Sequence, residues 1–169
     1  MKLTTEISFF KAVLIDIHGV KETIDDLTKD MNSVDVTNRS TKGKLSRQYI
    51  FSNFDSLKEL TQKYLYHLKL LYPKNNFELA SAWTVYGYEG SYHEFHKHNK
   101  TEANSIATIT YLEVPNDVAG DLVYIIDKEV YKITPQKGLF CIMPIDLIHG
   151  TYPQGKGLRQ TLNLDFKLV

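Results

Sequence analysis

The segment from Arg159 to Phe166 restricts the fold of this 169-residue chain more than any other. Its residues alternate strictly, so that on an extended strand Arg159, Thr161, Asn163 and Asp165 share one side and Leu162, Leu164 and Phe166 the other. Ten residues before Arg159 stands His149, and farther upstream lies His96-Lys97-His98. With one residue between them, His96 and His98 project from the same face of a strand, which is how a strand offers two ligands to one metal ion. His149, arriving on a different strand, closes the triangle. An arginine facing inward beside such a centre suits a ligand that carries a carboxylate.

Composition narrows the partners. Lys plus Arg and Asp plus Glu are equal at 20 each, so no long-range field draws nucleic acid or anionic lipid to the chain. A small-molecule, protein or peptide substrate is expected instead. The length suits a single domain over residues 1–169, with a core that needs no staples. Cys141 is the only cysteine, which excludes an intramolecular disulfide, and its apolar neighbours mark it as an inert core thiol. The apolar run Ser8 to Asp16 is too short and too interrupted by charge to span a membrane, and no small-residue cleavage site follows it. The expected location is the reducing cytoplasm.

The first part of the chain, residues 1–76, reads as support for a core over 77–169. Ile7 to Ile17 predicts one strand stopped by Gly19, Thr23 to Met31 a short polar helix, and Asn32 to Lys44 a loop. A firmer helix follows, capped by Asp55 or Ser56, with Ser56 and Glu59 at capping-box spacing. Leu57, Leu60, Tyr64, Leu65, Leu68 and Leu71 recur on one face before Pro73 ends it, so this helix should lie against the outside of a sheet. From Phe77 onward short strands alternate with Gly and Pro turns, the pattern of an antiparallel barrel or sandwich.

The stretch from Trp83 to His98 resembles the approach to the first metal motif of iron(II)/2-oxoglutarate-dependent oxygenases of the prolyl-hydroxylase-like kind. Thr110 to Pro115 is similar to a tyrosine-leucine strand of that family, Gly120-Asp121-Leu122 to its glycine turn, and Pro135 to Pro144 to the strand leading to its distal histidine. His149 to Pro153 and Gly157 to Thr161 complete the series, and Asn38-Arg39-Ser40-Thr41 resembles a segment of bacterial and phage members. The order and spacing of these pieces, more than any one of them, carry the resemblance.

The resemblance implies a mainly β fold, a double-stranded β-helix or jelly roll with flanking N-terminal helices, and hydroxylation of an amino-acid, peptide or small-molecule substrate. It implies Fe(II) held by His96, His98 and His149, because such a centre takes three protein ligands on one side of the ion. It further implies that 2-oxoglutarate chelates the iron and sends its distal carboxylate to Arg159, with Thr161 as a further donor. Thr110 matches a position where family members often carry a tyrosine that touches the same carboxylate. One departure stands out: the usual motif is His-x-Asp/Glu, and here His98 takes the carboxylate position. Glu94, at the same strand parity as His96 and His98, and Glu102, four residues past His98, are the carboxylates that would compensate.

Two other readings stay open. Gly90-x5-His96-x-His98-x3-Glu102 and Gly138-x5-Pro144-x4-His149 also resemble the two cupin motifs, which would make Glu102 a fourth ligand and 2-oxoglutarate unnecessary. Ile109, Asp146 and Pro153 depart from those motifs. The other is a catalytically inactive jelly roll that binds a partner or a sugar through the same cleft. Among the remaining histidines, His18 and His67 read as hydrogen-bonded core or boundary residues, and His93, at opposite parity to His96, as outward-facing. Trp83 reads as a core aromatic or part of a substrate entrance.

Overall fold

The computed structural model describes residues 10–32, 34–35, 46–98, 105–117 and 119–169. Residues 7–9 of the expected first strand, Asn38 to Thr41 and Glu102 lie outside the described residues. Two antiparallel sheets organise the chain. The larger has the order β1 (Lys11–Leu14), β9 (Leu139–Pro144), β6 (Ser105–Glu113), β11 (Arg159–Leu168), β4 (Phe77–Gly87), β3 (Ser46–Ile50) and β2 (Val34–Asp35). The smaller runs β5 (His93–His96), β10 (His149–Thr151), β7 (Leu122–Ile126) and β8 (Glu129–Ile133). Strands distant in sequence are neighbours in both sheets, as a jelly roll requires.

Each face of the larger sheet has its own apolar cluster. On the outer face Leu112, Phe140, Ile142, Leu162, Leu164 and Phe166 pack under helices α1 (Val20–Thr28) and α2 (Lys58–Leu71), which contribute Val20, Ile24, Leu60, Tyr64 and Leu68. On the inner face Ala107, Ile109, Tyr111, Leu139, Cys141 and Met143 meet Leu122 and Ile133 of the smaller sheet. Cys141 is fully buried there, and burial pushes its thiol up to about 12. It is inert, as its neighbours predict.

The N-terminal third differs in detail from the sequence pattern. The first strand covers only Lys11–Leu14, because pairing with β9 ends there and Ile15 instead donates its N–H to Gly138. Helix α1 starts three residues early, since Gly19 at φ 73° turns the chain into it and the Thr23 hydroxyl bonds the Gly19 carbonyl. Part of the expected loop pairs as β2 with β3. Before α2, Asn53 is the cap: its side chain accepts from the Asp55 N–H at 3.1 Å and opens a 3-10 turn over Phe54–Leu57. The helix then buries Leu60, Tyr64 and Leu68 against the sheet, as its periodicity predicts. Among the described residues no helix is long and apolar enough to cross a membrane.

Candidate metal centre

His96 ends β5 and His149 begins β10, and the two residues pair directly across the smaller sheet. His98, just past β5, is tied down by its backbone N–H on the Ile145 carbonyl at 3.1 Å. One nitrogen from each of these imidazoles falls within 4.8 Å of the other two, and no carboxylate joins this cluster among the described residues. Ring centroids are 4.5 Å apart for His96 and His149, 5.1 Å for His98 and His149 and 5.6 Å for His96 and His98.

The ring tautomers follow from their partners. His96 Nδ1 lies 2.7 Å from the Glu94 carbonyl, His149 Nδ1 2.9 Å from the Leu147 carbonyl, and His98 Nδ1 3.0 and 3.1 Å from the two Asp165 carboxylate oxygens. All these oxygens are acceptors, so Nδ1 carries the hydrogen in each ring and the lone pair falls on Nε2. Burial pushes His149 down to about 3, against the Leu147 carbonyl that pulls it up, and the neighbouring imidazoles lower it further. Three imidazoles oriented in this way, each with Nε2 left to donate a lone pair, suit a divalent first-row metal.

The same cleft holds Arg159. Arg159 is 4 % exposed and donates to the Gly120 carbonyl at 3.2 Å and to Thr151 Oγ1 at 3.3 Å. Among the described residues no carboxylate lies within ion-pair distance of it. Burial lowers its proton affinity while Tyr111 opposes that effect. The planar fork of a guanidinium matches the geometry of a carboxylate or phosphate. Register builds its surroundings: Thr161 of β11 lies between Val85 of β4 and Tyr111 of β6, and all three line the cleft. Gly120 fits because a Cβ there would come within 2.8 Å of Arg159 Nη1.

Four sequence expectations need correction. His93 does not face outward; it lines the cleft, with its ring centroid 6.3 Å from that of His96. The step from His93 to His96 on β5 matches only Thr151 to His149 on β10, so β5 carries a bulge that turns both histidines to one face. Burial, then Arg159 and His96, push His93 down to about 3. The same bulge leaves Glu94 exposed, offering only its backbone carbonyl to His96. Thr110 does not reach the cleft either: it sits beside Tyr64 under α2, and its neighbour Tyr111 takes the inner face. His18 is exposed rather than in the core, while His67 is the boundary residue expected. Trp83 is half-buried in the cleft with its ring 5.2 Å from that of His98.

Two antiparallel sheets in jelly-roll order, with three convergent imidazoles in the cleft between them, place the chain in the class of double-stranded β-helix proteins. Within that class, this chain has the fold of the 2OG-Fe(II) oxygenases. It is similar to an oxidoreductase of that family from Burkholderia pseudomallei, with a TM-score of 0.74 at 10% identity over 94% of this chain and 84% of that one. The viral collagen prolyl hydroxylase of Paramecium Bursaria Chlorella virus-1 gives 0.62 at 17% identity, covering 95% and 97%. HygX from Streptomyces hygroscopicus, seen with nickel, 2-oxoglutarate and hygromycin B bound, gives 0.69 at 12% identity, covering 98% and 87%. No family model and no curated protein sequence matches.

Proposed function

We propose that residues 1–169 act as one domain, an Fe(II)- and 2-oxoglutarate-dependent dioxygenase that hydroxylates an amino-acid, peptide or small-molecule substrate. His96, His98 and His149 hold the metal. When bound, iron and 2-oxoglutarate supply the oxidising chemistry, in which dioxygen is consumed, 2-oxoglutarate becomes succinate and carbon dioxide, and a substrate C–H becomes C–OH. The protein's part is to bind, orient and shield. Arg159 receives the distal carboxylate of 2-oxoglutarate, and Thr161 and Tyr111, opposite each other across β11 and β6, flank it as hydroxyl donors. Thr151 Oγ1, which already accepts from Arg159, holds the guanidinium in place. Val85, Ile109 and Leu122 line the cleft with apolar surface that excludes water. A reducing, cytoplasmic location suits a ferrous centre.

The observation that carries this reading is the buried Arg159, which has no carboxylate partner among the described residues, in the cleft of the imidazole triad. It also favours the oxygenase over a cupin that works without 2-oxoglutarate, which has no need of that cation. The experiment is anaerobic calorimetry of the Fe(II)-loaded protein with 2-oxoglutarate, then succinate measurement in air. Binding that Arg159→Ala abolishes, together with succinate release by the wild type, is the expected result. Equal 2-oxoglutarate binding by both proteins overturns the assignment in favour of the cupin alternative, and binding without turnover leaves an inactive jelly roll.

A further inference from the structure

Asp165 is a buried carboxylate at 7 % exposure whose partners are an imidazole and a hydroxyl. Among the described residues no Lys or Arg lies within ion-pair distance of it. Both its oxygens face His98 Nδ1, at 3.0 and 3.1 Å, and Ser81, its register partner on β4, donates to Oδ2 at 3.1 Å. A carboxylate removed from water at this depth is costly without a compensating positive charge. Among the described residues no Lys or Arg supplies one, and a divalent cation on the far side of the His98 ring would.

The three imidazoles are not oriented alike. His96 and His149 each bond a carbonyl two residues back in their own segment, a neutral and local partner. His98 bonds a charged group, the Asp165 carboxylate of β11. Among the described residues, the carboxylate in contact with the His98 ring is that of Asp165, directly behind it.

We propose that Asp165 is a positioning residue that supplies to the metal centre, through His98, the negative charge that a set of three neutral imidazoles lacks. This deepens the metal-centre reading and rests on it, but does not require 2-oxoglutarate. Asp165 fixes the His98 proton on Nδ1, aims Nε2 at the ion and makes the ring a stronger donor. Ser81 keeps the carboxylate turned toward the ring. The anion that would otherwise be a ligand has moved one residue outward.

Charge and orientation separate cleanly by substitution. Asp165→Asn keeps an acceptor for the His98 N–H but removes the charge; Asp165→Leu removes both. The probe is Co(II) or Fe(II) alone, titrated anaerobically into metal-free protein, with circular dichroism to check that each variant is folded. Asp165→Asn should weaken binding about 10–100-fold, the usual cost of losing such a partner, and Asp165→Leu at least as much. Wild-type affinity in Asp165→Asn would overturn the charge argument while leaving the metal centre intact; no metal binding by the wild type would overturn the centre itself.

A second variant tests the exchange directly. His98→Asp alone sets two carboxylates against each other, whereas His98→Asp with Asp165→Asn moves the charge to the ligand position. The double variant should bind metal more tightly than either single one, and additive losses would count against the proposal. A measurement on the unaltered protein stands if the variants misfold. The Co(II)-loaded wild type should show three exchangeable, hyperfine-shifted imidazole N–H resonances, and two or fewer would overturn the tautomer assignment on which the inference depends.

Discussion

The two faces of the larger sheet are built from the same strands and do opposite work. On β11, Leu162, Leu164 and Phe166 are wholly buried beneath the helices, while Arg159, Thr161, Asn163 and Asp165 look into the cleft or toward its imidazoles. The outer face stabilises the fold through apolar area removed from water. The inner face spends part of that stability on buried charges, Arg159 and Asp165, that have no oppositely charged Lys, Arg, Asp or Glu partner among the described residues. A side chain's contribution to folding and its contribution to binding should therefore separate by face.

The largest expected effect falls on the outer face. Phe166→Ala should cost about 3–5 kcal/mol of unfolding free energy, the range for truncating a buried aromatic residue, while molecules that remain folded bind metal as before. Denaturant titration and metal titration on one preparation check both halves. Arg159→Ala should reverse the pattern, weakening 2-oxoglutarate binding by about 2–5 kcal/mol with metal affinity unchanged and metal-free stability equal or higher, as calorimetry and thermal melts would record. A stability loss in Arg159→Ala as large as that in Phe166→Ala would erase the distinction between the faces.

Smaller effects sharpen the same contrast. His93 and His149 are held neutral by burial, each pushed down to about 3, whereas an unfolded imidazole titrates near 6.5. The unfolded chain thus takes up protons first: their contribution to metal-free stability is complete above about pH 6.5 and declines as pH falls toward 3. Denaturation midpoints across that window should drop, and His93→Gln should flatten the drop. An unchanged pH profile in His93→Gln would place His93 outside the cleft. The smallest effect is that of Thr161→Val, expected to weaken 2-oxoglutarate by about 1 kcal/mol, the value of one hydrogen bond, with no change in metal binding.

What the sequence made legible depended on how regular each strand is. β11 runs ten residues between two strands, so its period-two pattern survives and the inward side of Arg159, Thr161, Asn163 and Asp165 could be read directly. β5 is four residues long and bulged, and the parity count from His96 to His93 fails across the extra residue. One signal was available: Gly150, beside His149, where a Cβ would stand 2.8 Å from the His93 carbonyl, marks a close backbone approach. β6 misled for another reason. It is buried on both faces over nearly its whole length, so alternation carries no information about which of Thr110 and Tyr111 meets the cleft. Asp165 was legible as inward-facing but not as a partner of His98, because 67 residues separate them and only the folded register brings them together.

The connection from His149 to Arg159 is pinned at its middle. Gln154, 3 % exposed, donates to the carbonyls of Gly87 and Gly157 at 3.0 Å and accepts from Ser91 Oγ at 2.9 Å, while its backbone pairs with Gly90 and Ser91. A segment fastened at both ends and at its centre has little configurational freedom left to lose when a ligand arrives. The heat-capacity change on loading the cleft should accordingly be that of covering the cleft's own apolar walls, without the larger negative increment that accompanies a loop folding around its ligand.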